Sequence, residues 1–239
     1  MGYGFKVEIR GDYALFSRPE LKVERVSYEV ITPSAARGIL EAVMWKPAIR
    51  YRIDEIAVCS PIRFENIRRN EVAFKAAGMT PKAAAEERQQ RSAMVLRDVR
   101  YVVTAHFEMT DKAGALDNEG KFTEMIRRRL EKGQNFHTPY LGAREFPAEV
   151  RLIADGEIPP EPIGETRPLG LMLYDIDYVA QTRTASGGSE TEQLTLYDSG
   201  HVTQTGKDAV AVIKEFKPLY FMAEMKNGVI DLREAEVLR

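Results

Sequence analysis

Three side chains that can bind an anion or transfer a proton lie within a short stretch of the sequence: Lys121, His137 and Tyr140. Lys121 falls in the first turn of a predicted helix, where its charge and the free backbone amides both favour an anion. Histidine titrates near neutral pH, so it is the natural proton donor or acceptor. Tyr13 and Tyr51 are alternative proton carriers. Each of these residues also has an ordinary interpretation as an exposed or structural side chain.

Positive charge is concentrated in the first part of the chain. The net charge is −2, but residues 1–144 carry +6 and residues 145–239 carry −8. Residues 61–100 contain nine basic and five acidic side chains. Clustered cations favour nucleic acid because each neutralised phosphate releases a counterion. The pattern therefore favours a nucleic-acid partner, with double-stranded DNA among the options, and its alternative is a solvated surface of mixed charge.

Eight residues are candidate contacts to such a polyanion. Trp45 can stack on a base or close the end of a helix, and Arg37 projects from the first turn of that helix. The loop 142–144 combines a flexible backbone with a guanidinium, as a phosphate-binding loop does, although a tight turn would look the same. The basic segment 62–95 is expected to contact an RNA stem through its phosphates. The eight candidates are Arg37, Trp45, Lys46, Arg68, Arg69, Arg88, Arg91 and Arg144.

The composition excludes several classes of protein. Hydrophobic residues make up 44% and charged residues 29% of the 239 residues, as in an average globular protein. No apolar run approaches the roughly 18 residues that cross a bilayer, and the N-terminus lacks a signal-peptide pattern. The single cysteine, Cys59, cannot form an internal disulfide, and the three histidines are too far apart to suggest a metal motif. We therefore expect a soluble, cytoplasmic protein with no metal, no cofactor and no membrane partner.

Hydrophobic periodicity and helix caps predict the elements that position these residues. Strands are predicted over residues 4–10, 26–31, 49–61, 97–109, 145–153, 171–178, 217–225 and 229–232. Helices are predicted over residues 33–44, about 81–91 and about 118–132. The first of these begins with a Thr-Pro pair, and the last is followed by a glycine. Residues 182–195, rich in Thr, Ser, Gly and Glu, are predicted to form an irregular excursion.

The order of these elements predicts an α+β fold. Strand, helix, strand, strand, helix, strand is the split βαβ order of a ferredoxin-like (RRM-like) domain, in which two helices cover one face of an antiparallel sheet. RNA-recognition domains use the other face for single-stranded bases. We place this domain at residues 1–155, with a basic insertion at about 62–95. Four prolines then crowd together before a small C-terminal antiparallel β-sheet unit at 165–239.

Six ordered blocks of the sequence resemble one protein family. The blocks are Gly11–Phe16, Thr32–Gly38 (preceded by Tyr28), Trp45–Pro47, Ala105–Glu108, Asn118–Lys121 and Leu141–Phe146. Thinner matches follow at Leu169-Gly170, Met172-Leu173 and Leu219–Ile230. Together these blocks resemble the subtype I-C (Dvulg) CRISPR-associated pre-crRNA endoribonucleases, the Cas5d family of the RAMP superfamily, most densely over residues 5–150.

The resemblance implies a ferredoxin-like domain with a small C-terminal sheet. It also implies metal-independent cleavage of the CRISPR repeat hairpin at its 3′ base. The protein would then stay on the 5′ handle of the crRNA, as a subunit of the type I-C effector complex. The family's catalytic set is a tyrosine just before Trp-Lys-Pro and a Lys-His pair after Asn-Glu-Gly. Lys121 matches the lysine, whereas Met44 and Phe122 occupy the tyrosine and histidine positions.

Because Met44 and Phe122 cannot transfer protons, two functions follow from the resemblance. In the first, the chain is an endoribonuclease in which Lys121 stabilises the phosphate, His137 or Tyr140 assists proton transfer, and the product is a 2′,3′-cyclic phosphate. In the second, the chain is a non-catalytic scaffold that holds the crRNA handle within the complex. The expected partners in both cases are CRISPR repeat RNA and the other subunits of the complex.

Overall fold

The computed structural model describes residues 4–21, 24–72, 88–184, 189–194 and 209–238. Its helices are α1 (Pro33–Val43) and α2 (Glu119–Glu131). Its strands are β1 (Phe5–Ala14), β2 (Arg25–Val26), β3 (Ile49–Val58), β4 (Phe64–Val72), β5 (Arg88–Met109), β6 (Glu149–Ile153), β7 (Arg167–Thr184), β8 (Ser189–Leu194), β9 (Ala209–Met225) and β10 (Val229–Asp231). The expected mixed α/β character, with mostly antiparallel strands and two helices, is confirmed for this part of the chain.

The large sheet has the strand order β10-β3-β5-β1-β6, and β2 and β4 also pair with β5. Every pairing except β2 with β5 is antiparallel. Alternate residues of β1 point to the two faces, so Phe5, Val7 and Ile9 form a buried row beside Val103 of β5. Both helices pack on the face that carries this row, since Ile39 of α1 and Phe122 of α2 belong to the same buried cluster.

Local sequence determines where both helices begin. The Thr32 side chain accepts a hydrogen bond from the backbone N–H of Ala35, and Pro33 occupies the first helical position of α1. The Asn118 side chain caps α2 by accepting from the N–H of Lys121 at 2.9 Å. Gly133, with φ of +61°, follows the end of α2 in the left-handed conformation that glycine favours.

The second face of the large sheet is covered at one end, where the proline-rich segment 154–163 crosses it, and open at the other end, where Arg52 and Glu108 are exposed. This segment leaves β6 at one edge and reaches β3 near the other, where the N–H of Ile163 donates to the carbonyl of Val58 at 2.8 Å. Beneath it, the buried Glu8 carboxylate is bound by Arg100 and Arg151 at 2.5 and 2.7 Å. Over β1, β3, residues 100–108 of β5 and β6, this face carries no Phe, Tyr or Trp.

A second sheet has the strand order β8-β7-β9. Met172 and Leu173 of β7 and Phe221 of β9 belong to the same buried cluster as the first row of β1. The strand over 229–232 was expected in this C-terminal unit, but β10 instead pairs with β3 of the large sheet, with Ile230 opposite Ile56. The division of the chain near residues 155–165 stays a prediction.

Two further sequence predictions differ from the structure. The basic segment forms a hairpin of β4 and the first part of β5, so residues 88–91 are a strand rather than the end of a helix; residues 73–87 lie outside the described part. Likewise, residues 182–184 and 189–194 are strand, and 185–188 and 195 lie outside the described residues. Within the described ranges, no helix is long and apolar enough to span a membrane.

Candidate functional site

Lys121 and Lys46 lie at the end of the sheet where β5 leads into α2. The Lys121 ammonium donates to Asp117 at 2.8 Å, and the Lys121 side chain is 46% exposed. The hydrogen bond from Lys121 lowers the pKa of Asp117, a bond from the N–H of Gly114 lowers it further, and the charge of Lys46 adds a smaller effect. Because an ammonium has three donors, Lys121 can hold Asp117 and still face an anion. The first turn of α2 adds its own partial positive charge.

Met44 and Phe122 are core residues, only 1% and 2% exposed. The ring of Phe122 meets Phe107 of β5 edge to face, with the centroids 6.4 Å apart. The backbone N–H of Met44 donates to the carbonyl of Leu40 at the end of α1. These two positions therefore stabilise the packing of the helices on the sheet, and neither presents a group to solvent.

Tyr51, an alternative proton carrier, is also buried in the core. Its hydroxyl donates to the carbonyl of Met44 at 2.8 Å. Burial raises the pKa of Tyr51, and the negative charge of Glu41 raises it further, so its phenol stays protonated. A protonated, buried phenol whose one hydrogen is already donated cannot accept a proton from RNA.

His137 lies beside the end of α1. Its backbone N–H and that of Phe136 both donate to the carbonyl of Ala42, at 3.0 and 2.8 Å. Arg129 donates to the next carbonyl, that of Val43, at 2.8 Å. These hydrogen bonds fix the backbone of the loop to the helix end. The imidazole of His137 is exposed, and its one described aromatic contact is with the edge of Phe136.

Tyr140 lines a groove between α1, β7 and residues 15–17, which has a volume of about 270 Å³. Gly142 lies at the same groove with φ of +82°, and a Cβ atom there would lie 2.0 Å from the carbonyl oxygen of Leu15. Glycine at 142 is therefore required by this close backbone approach, as well as by its conformation. Lys121 does not line the groove, so the structure places Tyr140 and Lys121 at different surface features.

Arg37 does not project into solvent as predicted. Its guanidinium is buried between Glu41, at 2.6 Å, and Asp175 of β7, at 2.7 Å. Burial lowers the pKa of Arg37, but the two carboxylates outweigh burial and hold that pKa above its ordinary value. Both ends of the fork are occupied within the protein, so a contact between Arg37 and an RNA phosphate does not fit this geometry.

Three other residues that the sequence predicts to contact RNA are accessible to solvent. Trp45 is half-buried and lines a small cleft with Pro47 and Arg50, next to the exposed Lys46. Trp45 therefore closes the end of α1 and also presents part of its ring to the surface. Arg144 is exposed in the loop that follows Gly142.

The four remaining arginines lie on the β4–β5 hairpin. Arg69 is paired with Glu145 and lies over the ring of Phe146, with its guanidinium carbon 5.3 Å from the ring centroid. Arg91 lies 3.8 Å from Glu71, whereas Arg68 and Arg88 are exposed. The hairpin therefore keeps Arg68 and Arg88 available and uses Arg69 to attach itself to the loop that precedes β6.

Two residues of these sites were missed by sequence reasoning. Asp117 precedes Lys121 by four residues, a spacing that brings side chains together at a helix start and could have revealed the pair. Asp175 contacts Arg37 across 138 residues of sequence, and no local pattern marks it.

Comparison with known proteins gives concordant results. The family model described as CRISPR-associated protein (Cas_Cas5) matches residues 4–233. The CRISPR pre-crRNA endoribonuclease Cas5d of Mannheimia succiniciproducens is 44% identical over 249 aligned positions, covering 97% of this chain and 96% of that protein. The Cas5d of Thermus thermophilus is 49% identical over 174 positions, covering 73% of each chain. A crystal structure of a CRISPR-associated protein shares the fold, with a TM-score of 0.63 at 22% identity and coverage of 99% and 96%. This chain therefore belongs to the Cas5d family of CRISPR-associated proteins.

Proposed function

We propose that this protein is a metal-independent endoribonuclease that cleaves the repeat hairpin of pre-crRNA and then stays on the crRNA 5′ handle. The observation that carries the proposal is Lys121, which the resemblance identifies as catalytic and which lies exposed at the start of α2 beside Lys46. The two relatives that align over most of this chain are named pre-crRNA endoribonucleases. The expected partners are the repeat RNA and the other subunits of a type I-C effector complex.

The proposed reaction uses the RNA's own 2′-hydroxyl as the nucleophile. The 2′ oxygen attacks the adjacent phosphorus, the bond to the 5′ oxygen breaks, and the products are a 2′,3′-cyclic phosphate and a 5′-hydroxyl. One group must accept the 2′ proton, and another must donate a proton to the leaving oxygen. Lys121 would stabilise the charge that develops on the phosphate, with the amides of α2 directed at the same region. His137 is the proposed proton carrier near the end of α1, and Tyr140 is the second candidate.

We propose a ferredoxin-like fold for residues 1–155. The order β3-β5-β1-β6, with α1 and α2 in the two crossover connections, supports this assignment because it reproduces the split βαβ arrangement. RNA contacts are proposed at the helix ends, the loops and the β4–β5 hairpin, because segment 154–163 covers part of the other face of the sheet and the strands named above present no aromatic ring there. Exposed cations at Lys46, Arg68 and Arg144 are the proposed phosphate contacts.

The alternative function is a scaffold that binds the crRNA handle without cutting it. The burial of Met44 and Phe122 favours this alternative, because both positions lack a titratable group and are closed to solvent. A purified sample incubated with labelled cognate repeat RNA in EDTA separates the two functions. A single cut that leaves a 2′,3′-cyclic phosphate supports the nuclease, and a gel shift without a cut supports the scaffold.

The same assay tests the proton carriers. The double variant His137→Ala/Tyr140→Phe should reduce the cleavage rate by roughly a hundredfold or more, the usual contribution of a positioned acid or base. Both side chains are exposed, so folding should be unaffected, and a thermal melt provides the control. Undiminished cleavage by the double variant would remove both residues from the mechanism.

Salt should weaken RNA binding steeply, because phosphate contacts release counterions. With three or more cations on phosphates, affinity should fall at least about tenfold between 50 and 200 mM salt, as counterion release predicts. The measurement is a titration of fluorescent repeat RNA at several salt concentrations. A flat response would contradict the assignment of Lys46, Arg68 and Arg144 as phosphate contacts.

A further inference from the structure

The groove beside Tyr140 has the shape of a slot for one flat ring. One wall is the face of α1 that carries Ser34, Ala35, Gly38 and Ala42, whose small side chains leave space above the helix. The volume of about 270 Å³ is slightly below the roughly 300–1,000 Å³ typical of sites for drug-sized molecules. The slot therefore suits a single nucleobase rather than a folded segment.

Opposite α1, the walls are apolar and end in an aromatic ring. Leu173 and Ile176 of β7 face the groove, and Leu15 closes its floor with Phe16. The Tyr140 ring is 39% exposed, so one side of it is available to stack. Aromatic stacking contributes about 1–3 kcal/mol per base in single-stranded RNA complexes, because every base has a π face.

Asp175 is the charged side chain that lines this groove. Its Oδ1 accepts from Arg37 at 2.7 Å and from the N–H of Ile176 at 2.8 Å, and its Oδ2 has no hydrogen-bond donor among the described residues. A carboxylate can only accept, so it repels phosphate and selects a partner with an N–H group. Adenine, cytosine and guanine each offer an exocyclic amino group, whereas uracil offers a single ring N3–H as its donor.

The rim of the groove attracts negative charge, whereas Asp175 inside the groove repels it. The rim includes the start of α1, where the Thr32 and Ser34 hydroxyls lie 3.1 Å apart, and Arg144 is exposed two residues beyond Gly142. Phosphates of an RNA strand would therefore be attracted to the rim and excluded from the interior. This division of charge matches a nucleotide whose base points inward and whose backbone stays outside.

We propose that the groove binds one unpaired base of the RNA, stacked on Tyr140 and recognised by Asp175 through an exocyclic amino group. This inference rests on the proposed RNA-binding function and identifies a subsite of it. The base must be unpaired, because a base pair would occupy the edge that Asp175 reads.

A glycine in α1 allows the slot to be filled without disturbing the fold. Gly38 lies at the groove, and a Cβ atom placed on it meets no other atom within 4 Å. Gly38→Phe should occupy the slot and weaken binding of the 5′ handle RNA about tenfold or more, the effect of losing one stacked base. Gly164→Phe is the matched control, with unchanged affinity, because Gly164 lies outside the groove and a Cβ atom placed on it also meets no other atom within 4 Å.

Modified RNAs test the same contact by changing the base instead of the protein. Each unpaired nucleotide of the repeat is replaced in turn by an abasic residue, and the affinity for the wild-type protein is measured. One position should lose about tenfold, and Gly38→Phe should bind that RNA and the unmodified RNA equally well. At that position, a base without its amino group should weaken wild-type binding, and Tyr140→Phe should bind better than Tyr140→Ala.

The outcomes separate this inference from the function on which it rests. Tight RNA binding with no abasic position coupled to Gly38→Phe would overturn the subsite and leave the nuclease or scaffold function standing. A coupled position at which removal of the base's amino group leaves the affinity unchanged would overturn the role of Asp175. Absence of RNA binding by the wild-type protein would overturn the proposed function itself.

Discussion

Lys121→Ala should reduce cleavage of the repeat RNA by at least about a hundredfold, because removing one preorganised charge contact to a reacting phosphate costs roughly 10²–10³ in rate. RNA affinity should fall far less, since Lys121 is one cation among several. The melting temperature should be nearly unchanged, because the ion pair between Lys121 and Asp117 is exposed to solvent. Single-turnover cleavage kinetics with saturating protein measure the rate separately from binding.

Lys226→Ala is the matched control for this experiment. Lys226 also forms an exposed ion pair, with Glu224 at 3.0 Å, and it lies between β9 and β10, away from α2. Its removal should leave the cleavage rate unchanged. Lys121→Arg should retain part of the rate, because it keeps the charge while changing its geometry. Full activity of Lys121→Ala would remove this residue from the catalytic site.

Arg37→Ala should destabilise the protein by about 3–5 kcal/mol, the cost of removing one partner from a buried ion pair. Glu41 is buried on the same helix, and the partly buried Asp175 joins the pair from β7, so both carboxylates lose the charge of Arg37 together. In a protein of this size each kcal/mol lowers the melting temperature by roughly 2–4 °C, so the expected decrease is about 10 °C. Thermal denaturation followed by circular dichroism measures it.

Arg127→Ala provides the comparison for Arg37. Arg127 of α2 pairs with Asp155 at 3.0 Å, but that carboxylate is largely exposed. Its removal should leave the melting temperature nearly unchanged, because an exposed ion pair contributes little to stability. Equal melting temperatures for the two variants would show that Arg37 is not held in a buried ion pair, and its assignment as a phosphate contact would then regain support.

The elements that sequence alone predicts well are those fixed by local chemistry. Both helices begin at the expected caps, Thr32 and Asn118, because a cap needs only its own first turn. The alternation of β5 around Val103 is equally local. By contrast, the β4–β5 hairpin has few apolar residues, and Arg69 lies opposite Arg91 across it. Pairing between distant polar segments leaves no periodic signal, which explains the incorrect helix prediction at residues 88–91.

In the candidate site, too, features fixed by local sequence were predictable and features fixed by distant contacts were not. Lys121 could be placed correctly, because its position in the first turn of a helix follows from the cap. The burial of Arg37 could not be predicted, because its partner Asp175 lies 138 residues away and comes from another sheet. The prolines of segment 154–163 indicated a linker, but only the three-dimensional path shows that it covers part of the sheet face on which RNA-recognition domains bind bases.

The position of β10 has a consequence for biosynthesis. One border of β3 pairs with residues 229–231, which leave the ribosome about 170 residues after β3 itself. Until then the nascent chain presents an unpaired strand border, which is a template for association with other chains. Contacts so distant in sequence also slow folding. Expression at reduced temperature or with chaperones should therefore improve the yield of soluble protein.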